Sequence, residues 1–163
     1  MIESIGSIEL KALTPDDWAV WRELRLTALA EAPDAFGSRL ADWQGDGDRE
    51  ERWRARLGIP GSYNVVAVVD GKGAGMAGGV RGPCDCVVEL ISMWVSAAAR
   101  GRGVADRLVL AVEEWGLRAG AGVLRLDVVP GNARAIAFYR RRGFVEVGAA
   151  QGELVMEKVL RSR

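Results

Sequence analysis

A chain of 163 residues with 22 basic and 22 acidic side chains has the size of one domain and no net charge to attract nucleic acid or a membrane surface. It contains no histidine, which excludes Ser-His-Asp and Cys-His nucleophiles and every zinc site that needs imidazole. Proton transfer must therefore use carboxylates, Tyr, Cys, Lys, water or the substrate itself. We expect a single domain over residues 1–163, with no nucleic-acid and no membrane partner.

The cysteines and the acidic loops predict no metal site. Cys84 and Cys86 are one residue apart, too close for a disulfide framework, and no His or further Cys completes a zinc site. The acidic stretch from Asp42 resembles a calcium loop, but Trp53 stands where the bidentate Glu is required. Unpaired thiols, with no signal-peptide pattern and no apolar run long enough to span a membrane, predict a cytoplasmic protein.

The first half of the chain predicts a strand, two helices and three further strands. Thr14-Pro15-Asp16-Asp17 has the cap, proline and acids typical of a helix start, and Pro33 ends that helix. Asp70-Gly71 is a hairpin signal. The predicted strands cover Ser7–Leu13, Tyr63–Val69, Ala74–Val80 and Val87–Val95, and the helices run from Thr14 to about Glu31 and over Arg49–Leu57.

The second half predicts a crossover helix, a strand, a helix and two closing strands. The crossover helix opens at the Gly-rich segment after Val95 and ends at Ala119-Gly120. The other elements are a strand over Val123–Val129, a helix from Asn132 to Gly143, and strands over Phe144–Val147 and Glu153–Leu160. The order β-α-α-β-β-β-α-β-α-β-β describes an α/β (α+β) domain with a mixed sheet.

The Gly-rich segment before the crossover helix is the strongest local signal. It reads Arg100-Gly101-Arg102-Gly103-Val104-Ala105. Glycines let backbone N–H groups approach an anion closely, the helix start adds a positive dipole end, and the two arginines add charge. The segment lacks the Gly-Lys-Ser/Thr of a P-loop, and Asp106 stands at the third glycine position of a Rossmann fingerprint. Pyrophosphate is the expected ligand, and a purely structural turn is the alternative.

The chain resembles the GNAT superfamily of N-acetyltransferases, which use acetyl-coenzyme A. The fixed positions of that family's pyrophosphate motif, Q/R-x-x-G-x-G/A, are matched by Arg100, Gly103 and Ala105. A second family signature, N-x(5)-F-Y-x(3)-G-F, is matched by Asn132, Phe138-Tyr139 and Gly143-Phe144. The resemblance implies a GNAT-like acyl-CoA N-acyltransferase fold and direct transfer of an acetyl group from acetyl-CoA to a primary amine of a small molecule or peptide.

The resemblance also implies roles for single residues. The backbone amides of Arg100, Gly101, Arg102, Gly103, Val104 and Ala105 would hold the pyrophosphate. The Met93-Trp94-Val95 segment would bind the pantetheine arm through the backbone of Met93 and Val95, and Asn132 would cap a helix beside that arm. Tyr139 stands where the family places the general acid that protonates the leaving thiolate. The alternative for Tyr139 is a core aromatic on an amphipathic helix.

Glu89 is the candidate base. It is the only acid in an otherwise apolar strand, where desolvation raises the pKa of a carboxyl toward the range useful for accepting a proton from an ammonium. It precedes Arg100 by eleven residues, the spacing of the base in the histone-acetylating branch of the resembled family. Alternation places Glu89, Ile91, Met93 and Val95 on one face unless a bulge intervenes. The alternative is a strand-end acid paired with an arginine such as Arg81.

The acceptor amine is not identified by any residue. The resembled family builds its substrate wall from the first two helices and the late hairpin. Of six tryptophans, Trp18, Trp21 and Trp115 have core spacing, whereas Trp43, Trp53 and Trp94 are free to line a pocket. A catalytically silent acyl-CoA-binding sensor is the second functional hypothesis, and a homodimer through exposed sheet edges is compatible with the sequence.

Overall fold

The structure, a computed structural model, describes residues 7–32 and 40–161. Within these ranges the chain forms seven strands and four α-helices, in the predicted order. The strands are β1 (Ile8–Ala12), β2 (Tyr63–Val69), β3 (Lys72–Arg81), β4 (Val87–Val95), β5 (Val123–Val128), β6 (Val145–Ala150) and β7 (Glu153–Val159). The helices are α1 (Trp18–Glu31), α2 (Glu50–Leu57), α3 (Val104–Arg118) and α4 (Ala133–Arg141).

The predicted helix boundaries agree with the structure apart from the start of α1 and the break after it. A 3₁₀ turn over Pro15–Asp17 precedes α1, and the Thr14 amide donates to Asp17 Oδ2 at 2.8 Å. This contact ties the proline turn to the helix start, as the sequence pattern predicts. The predicted helix break at Pro33 lies outside the described residues. Among the described helices, none is both long and apolar enough to cross a membrane.

The seven strands form one mixed sheet in the order β1-β2-β3-β4-β5-β7-β6. Neighbouring strands are antiparallel except β4 and β5, which are parallel and are joined by the crossover helix α3. The helices cover the two faces of the sheet with separate cores. The core under α3 and α4 includes Val88, Leu108 and Tyr139, and the core under α1 and α2 includes Trp21 and Trp53. This is the mixed α/β architecture predicted from the element order.

The sheet forks between β4 and β5. These strands pair only over Val87–Glu89 and Val123–Arg125, although β4 continues to Val95 and β5 to Val128. Beyond the last pair the strands diverge, and their unpaired edges leave an opening between them. Glu89 therefore lies at the point where the fork begins.

A β-bulge in β4 changes which face its residues occupy. Ile91 pairs with Gly78 and Trp94 with Met76, so two residues of β4 stand opposite one residue of β3. The extra residue is accommodated at Ser92, whose φ of 56° is unusual for a residue with a side chain.

The bulge overturns the expectation that Glu89, Ile91, Met93 and Val95 share one face. Trp94 packs in the core beneath α1 and α2, whereas Met93 and Val95 pack against the core beneath α3. Simple alternation therefore holds only as far as Ile91. The physical reason is the inserted residue, which moves each later residue of β4 to the opposite face of the sheet.

Candidate active site

Two cavities flank the fork and adjoin each other. The tryptophan cavity, of about 640 Å³, is bounded by Trp21, Trp43 and Trp53 on one side and by the fork on the other. The glycine-turn groove, of about 970 Å³, lies between the end of β4 and the starts of α3 and α4. Both are lined by Met93, Asn132, Ala135 and Tyr139. Molecules held in the two cavities would therefore meet at these four residues.

The glycine turn presents an open run of backbone amides to the groove. Gly101 and Gly103 have φ values of 81° and 83°, and a Cβ at either would meet nothing within 4 Å. Their role is therefore conformational freedom and open space rather than close packing. The amide of Arg100, expected to help hold the pyrophosphate, instead bonds Ala97 O at 3.4 Å, and the next amide with an acceptor among the described residues is that of Arg107, which bonds Gly103 O at 3.1 Å. The preceding amides, from Gly101 to Asp106, are left for a ligand at the positive end of α3.

The arginine side chains of the turn contribute less charge to the groove than the sequence predicts. Arg100 lines the groove but lies 3.4 Å from the carboxylate of Glu31. Arg102 lies 3.8 Å from Asp70 and does not line the groove. An opposite charge beside each guanidinium weakens its field toward an anion.

Two further arginines, not singled out from the sequence, supply charge from α4. Arg134 and Arg141 line the groove and are exposed. They are seven residues apart, which places them on one face of the helix. That spacing, directly after the signature Asn132, is the signal that could have identified them.

The predicted Met93-Trp94-Val95 segment lines the groove along the diverging end of β4. Asn132 caps α4, because its Oδ1 accepts a hydrogen bond from the amide of Ala135 at 3.2 Å. Capping fixes the start of α4 at the junction of the two cavities. The structure thus brings the β4 segment and the helix cap to one place, as the resemblance implies.

Tyr139 is both a core residue and a cavity residue. Its ring packs edge-on against Phe138 and Phe144, with centroid distances of 5.4 and 5.5 Å, and only 7% of the residue is exposed. It nevertheless lines both cavities. Burial raises the pKa of the Tyr139 hydroxyl well above its usual value, so this group keeps its proton at neutral pH. A protonated hydroxyl at the junction can act as a hydrogen-bond donor.

Glu89 lines the tryptophan cavity and not the glycine-turn groove. Burial and then the charge of Asp127 raise the pKa of its carboxyl, while the charge of Arg125 lowers it. Arg125 is itself hydrogen-bonded to Glu157 at 2.7 Å, which weakens its electrostatic effect on the carboxyl of Glu89. The carboxyl of Glu89 is thus more basic than an ordinary glutamate and faces an enclosed space.

The alternative in which Glu89 pairs with Arg81 is wrong. Arg81 donates to the carbonyl oxygen of Ala119 at 3.3 Å, beyond the end of α3. In the sheet register Arg81 stands opposite Val88, which belongs to the core under α3, whereas Glu89 points to the other face. The two side chains are separated by the sheet.

The wall opposite the fork is aromatic. Trp43 and Trp53 line the tryptophan cavity as predicted, with ring centroids 4.5 Å apart. Trp53 is also fully buried, and its indole donates to Asp48 at 2.8 Å. Trp21 is fully buried as predicted and lines the cavity as well. The third predicted pocket residue, Trp94, lines the groove instead and is only 6% exposed.

Arg25 of α1 and Arg56 of α2 also line this wall, and sequence reasoning missed both. Arg56 donates to Asn64 Oδ1 at 2.8 Å and to Ser92 Oγ at 3.3 Å. Burial lowers the pKa of each guanidinium to about 10, so both stay charged at neutral pH. The signal was the position of each arginine on the buried stripe of its helix, four residues after Trp21 and three after Trp53.

Comparison with known proteins agrees with this geometry. The sequence profile of the acetyltransferase (GNAT) family matches residues 18–144. An uncharacterized N-acetyltransferase of Methanocaldococcus jannaschii is 32% identical over 103 residues, which are 57% of this chain and 43% of that protein. The chain therefore spans less than half the length of that relative.

Two solved structures share the fold. The paia N-acetyltransferase of Thermoplasma acidophilum, crystallised with coenzyme A, superposes with a TM-score of 0.77 over 94% of this chain and 99% of its own, at 18% identity. Nourseothricin acetyltransferase is 30% identical, with a TM-score of 0.58 over 63% of this chain and 67% of its own. Since the family profile matches most of the sequence and the fold agrees with its members, the chain belongs to the GNAT acetyltransferase family.

Proposed function

We propose that this chain, as a single domain, transfers the acetyl group of acetyl-CoA directly to a primary amine of a small molecule or peptide. The observation that carries the proposal is the meeting of the two cavities at Met93, Asn132, Ala135 and Tyr139. Acetyl-CoA would supply a thioester, whose C–S bond breaks as the amine nitrogen forms its bond to the acetyl carbon, releasing a thiol. A donor in the groove and an acceptor in the tryptophan cavity would then be adjacent without a covalent enzyme intermediate.

The residues of the glycine-turn groove fit coenzyme A. The open amides between Gly101 and Asp106 suit a pyrophosphate, because an anion there satisfies N–H groups that the helix leaves unbonded. Arg134 and Arg141 add positive charge beside them. The unpaired edge of β4 near Met93 and Val95 offers backbone groups to the amides of a pantetheine arm.

Glu89 would accept the proton that the amine must lose. A primary ammonium has a pKa near ~10.4, so it cannot attack a thioester until it is deprotonated. The raised pKa of the Glu89 carboxyl makes it a better acceptor than an exposed glutamate. Transfer occurs directly or through one water, depending on where the amine lies in the tryptophan cavity.

Tyr139 would stabilise the departing thiolate. Its hydroxyl is protonated and lies at the junction, where the C–S bond breaks. The pKa of a thiol is roughly 8.5, below that of this buried phenol, so a hydrogen bond to the thiolate contributes more than complete proton transfer. The thiolate can take its proton from solvent after release.

The test is a thiol-release assay over a panel of primary amines, with acetyl-CoA binding measured separately by calorimetry. We expect Glu89→Gln and Tyr139→Phe each to lower kcat by about 10²-fold or more, the scale of general acid–base catalysis. Glu114→Gln, at an exposed position of α3, is the matched control and should leave kcat unchanged. If neither site variant slows turnover more than a few-fold, the assigned roles are wrong. Acetyl-CoA binding with no turnover of any amine would instead indicate the sensor function.

We also propose a cytoplasmic location and association of two copies along β6. The exposed, unpaired thiols of Cys84 and Cys86 support a reducing compartment. β6 ends the sheet on one side, and its exposed side chains include Val145 and Val147. Light scattering of the purified chain at several concentrations tests the association, and a monomer mass throughout would refute it.

A further inference from the structure

We infer that the acceptor is a zwitterion, a small primary amine that also carries a carboxylate or similar anion, which Arg56 holds in the tryptophan cavity. This inference rests on the proposed function, because it names the class of amine that the cavity would take. It goes beyond that function because acetyl transfer by itself requires only an amine.

Buried arginine side chains supply the positive charge in the cavity. The Arg56 guanidinium lies over the Trp21 ring, 4.9 Å from its centroid, and its hydrogen bonds go to the neutral side chains of Asn64 and Ser92. No carboxylate among the described residues forms an ion pair with Arg56. A guanidinium has five N–H donors, so donors remain for an anion. The buried indole nitrogen of Trp21, in the same wall, also has no hydrogen-bond acceptor among the residues described.

A second positive charge lies close to the first. Arg25 lines the same wall, and its charge adds to burial in lowering the pKa of Arg56. Two like charges in a desolvated site repel each other, and an anion beside Arg56 offsets both this repulsion and the cost of burying its charge. Arginine is also the side chain best suited to a carboxylate or phosphonate, which it binds with two parallel hydrogen bonds.

Acidic side chains line the same cavity. Glu89 of β4, Asp127 of β5 and Glu153 of β7 line it at the fork. Arg125 lies there too, but its guanidinium is bonded to Glu157. The cavity therefore has an acidic pole at the fork and a cationic pole, Arg25 and Arg56, which reaches β4 at Ser92, three residues after Glu89. A zwitterion that directs its ammonium toward Glu89 and its carboxylate toward Arg56 complements both poles.

The size and walls of the cavity restrict the acceptor further. A volume of about 640 Å³ is that of a small-molecule site. Trp43 and Trp53 offer an apolar surface in the same cavity, which suits the side chain of an amino acid. A diamine fits poorly, because its second ammonium would face Arg56 and Arg25.

The first experiment compares matched acceptors with the unaltered protein. Tryptophan, tryptophanamide and tryptamine share one ring and differ at the carboxylate, and an aminophosphonate replaces the carboxylate by a phosphonate. We expect kcat/KM for the amino acid to exceed that for its amide by about 10-fold or more, the scale of a charge-assisted hydrogen bond. The amide has the less basic amine, which is more readily deprotonated but is also the weaker nucleophile. The comparison is therefore made below the pKa of both ammonium groups, where the larger free-amine fraction favours the amide and amine basicity does not produce this preference. Comparing kcat/KM for the aminophosphonate with that for the amino acid shows which anion the arginines prefer.

The second experiment compares Arg56→Met with Arg54→Met. Arg54 is on the same helix, pairs with Asp16 and Glu50, and does not line the cavity. We expect Arg56→Met to lower the ratio of kcat/KM for the amino acid to kcat/KM for tryptamine by about 10- to 100-fold. Arg54→Met should change neither, and Arg56→Lys should restore part of the preference. If Arg56→Met does not fold, the acid-to-amide ratio of the unaltered protein still decides.

The outcomes separate this inference from the proposed function. Turnover of amines without preference for the carboxylate would overturn the zwitterion inference and leave acetyl transfer standing. The same holds if Arg56→Met and Arg54→Met affect amino acid and tryptamine alike. Acetyl-CoA binding without turnover of any amine in the panel would overturn both.

Discussion

Two glycines at opposite ends of α3 provide a matched test of the glycine-turn groove. Gly103 precedes the helix with φ of 83°, and Gly120 follows it with φ of 85°. A Cβ at either position would meet no atom within 4 Å, so neither substitution to alanine creates a clash. The cost is then the left-handed backbone conformation alone, about 1–2 kcal/mol for each variant. For a chain of this length that lowers Tm by roughly 2–8 °C in both cases.

Ligand binding should separate the two variants. Gly103 lines the groove and lies within the run of open amides, whereas Gly120 does not line the groove. A methyl group or a shifted backbone at Gly103 disturbs hydrogen bonds to a charged ligand, so we expect Gly103→Ala to weaken acetyl-CoA binding by about 10- to 100-fold. Gly120→Ala should bind normally.

The assays are calorimetry for acetyl-CoA affinity and thermal unfolding without ligand. Equal loss of affinity in the two variants would show that the effect travels through the stability of α3 rather than through contact with the ligand. Unchanged affinity in Gly103→Ala would refute the assignment of the groove as the coenzyme site.

Three further predictions concern the base, an ion network and the packing of α3. Below the raised pKa of the Glu89 carboxyl, log kcat/KM should rise with a slope of about 1 per pH unit and then level off, because Glu89 must be ionised to take the proton of the ammonium; in Glu89→Gln the rise should continue without levelling off toward the pKa of the amine, near ~10.4, and an unchanged profile refutes the role. Glu113 is 7% exposed and pairs with two half-buried cations. Glu113→Ala should therefore lower the free energy of unfolding, measured by thermal unfolding, by about 2–4 kcal/mol. A loss below about 1 kcal/mol would show that this ion network contributes little to stability. A Cβ on Gly79 would lie 2.4 Å from the Trp115 ring, so Gly79→Ala should lower the free energy of unfolding by about 1–3 kcal/mol. Gly148 has open space around it, so Gly148→Ala should change the free energy of unfolding by no more than about 0.5 kcal/mol. Similar losses of stability in both variants would contradict the packing argument.

The order of elements and the glycine turn could be predicted because both are local in sequence. The β-forming residues of Tyr63–Val69 and the apolar spacing of α3 determine their own secondary structure. The position of Gly101 and Gly103 before a helix likewise reports a backbone conformation that few other residues adopt. Such signals need no knowledge of what packs against them.

The bulge and the cationic pole could not be predicted in the same way. Ser92 is compatible with a regular strand, and its left-handed conformation becomes evident only from the pairing of β4 with β3. Arg25 and Arg56 belong to different helices and meet only through the tertiary fold. The pairing of Arg100 with Glu31 is similarly non-local, and it reduces the charge predicted for the turn.

The two cavities share only four lining residues. This affects how the acceptor specificity of such an enzyme can change. On the proposed function, donor recognition would use the turn before α3, the end of β4 and the face of α4, whereas the acceptor wall would be formed by α1, α2, the segment between them that holds Trp43, and the β6–β7 turn. Substitutions in the acceptor wall can therefore accumulate without altering the coenzyme site, as long as the four residues at the junction are kept. Because of this division, one coenzyme site could be combined with different acceptor sites through changes in Arg25, Trp43 and Arg56 alone.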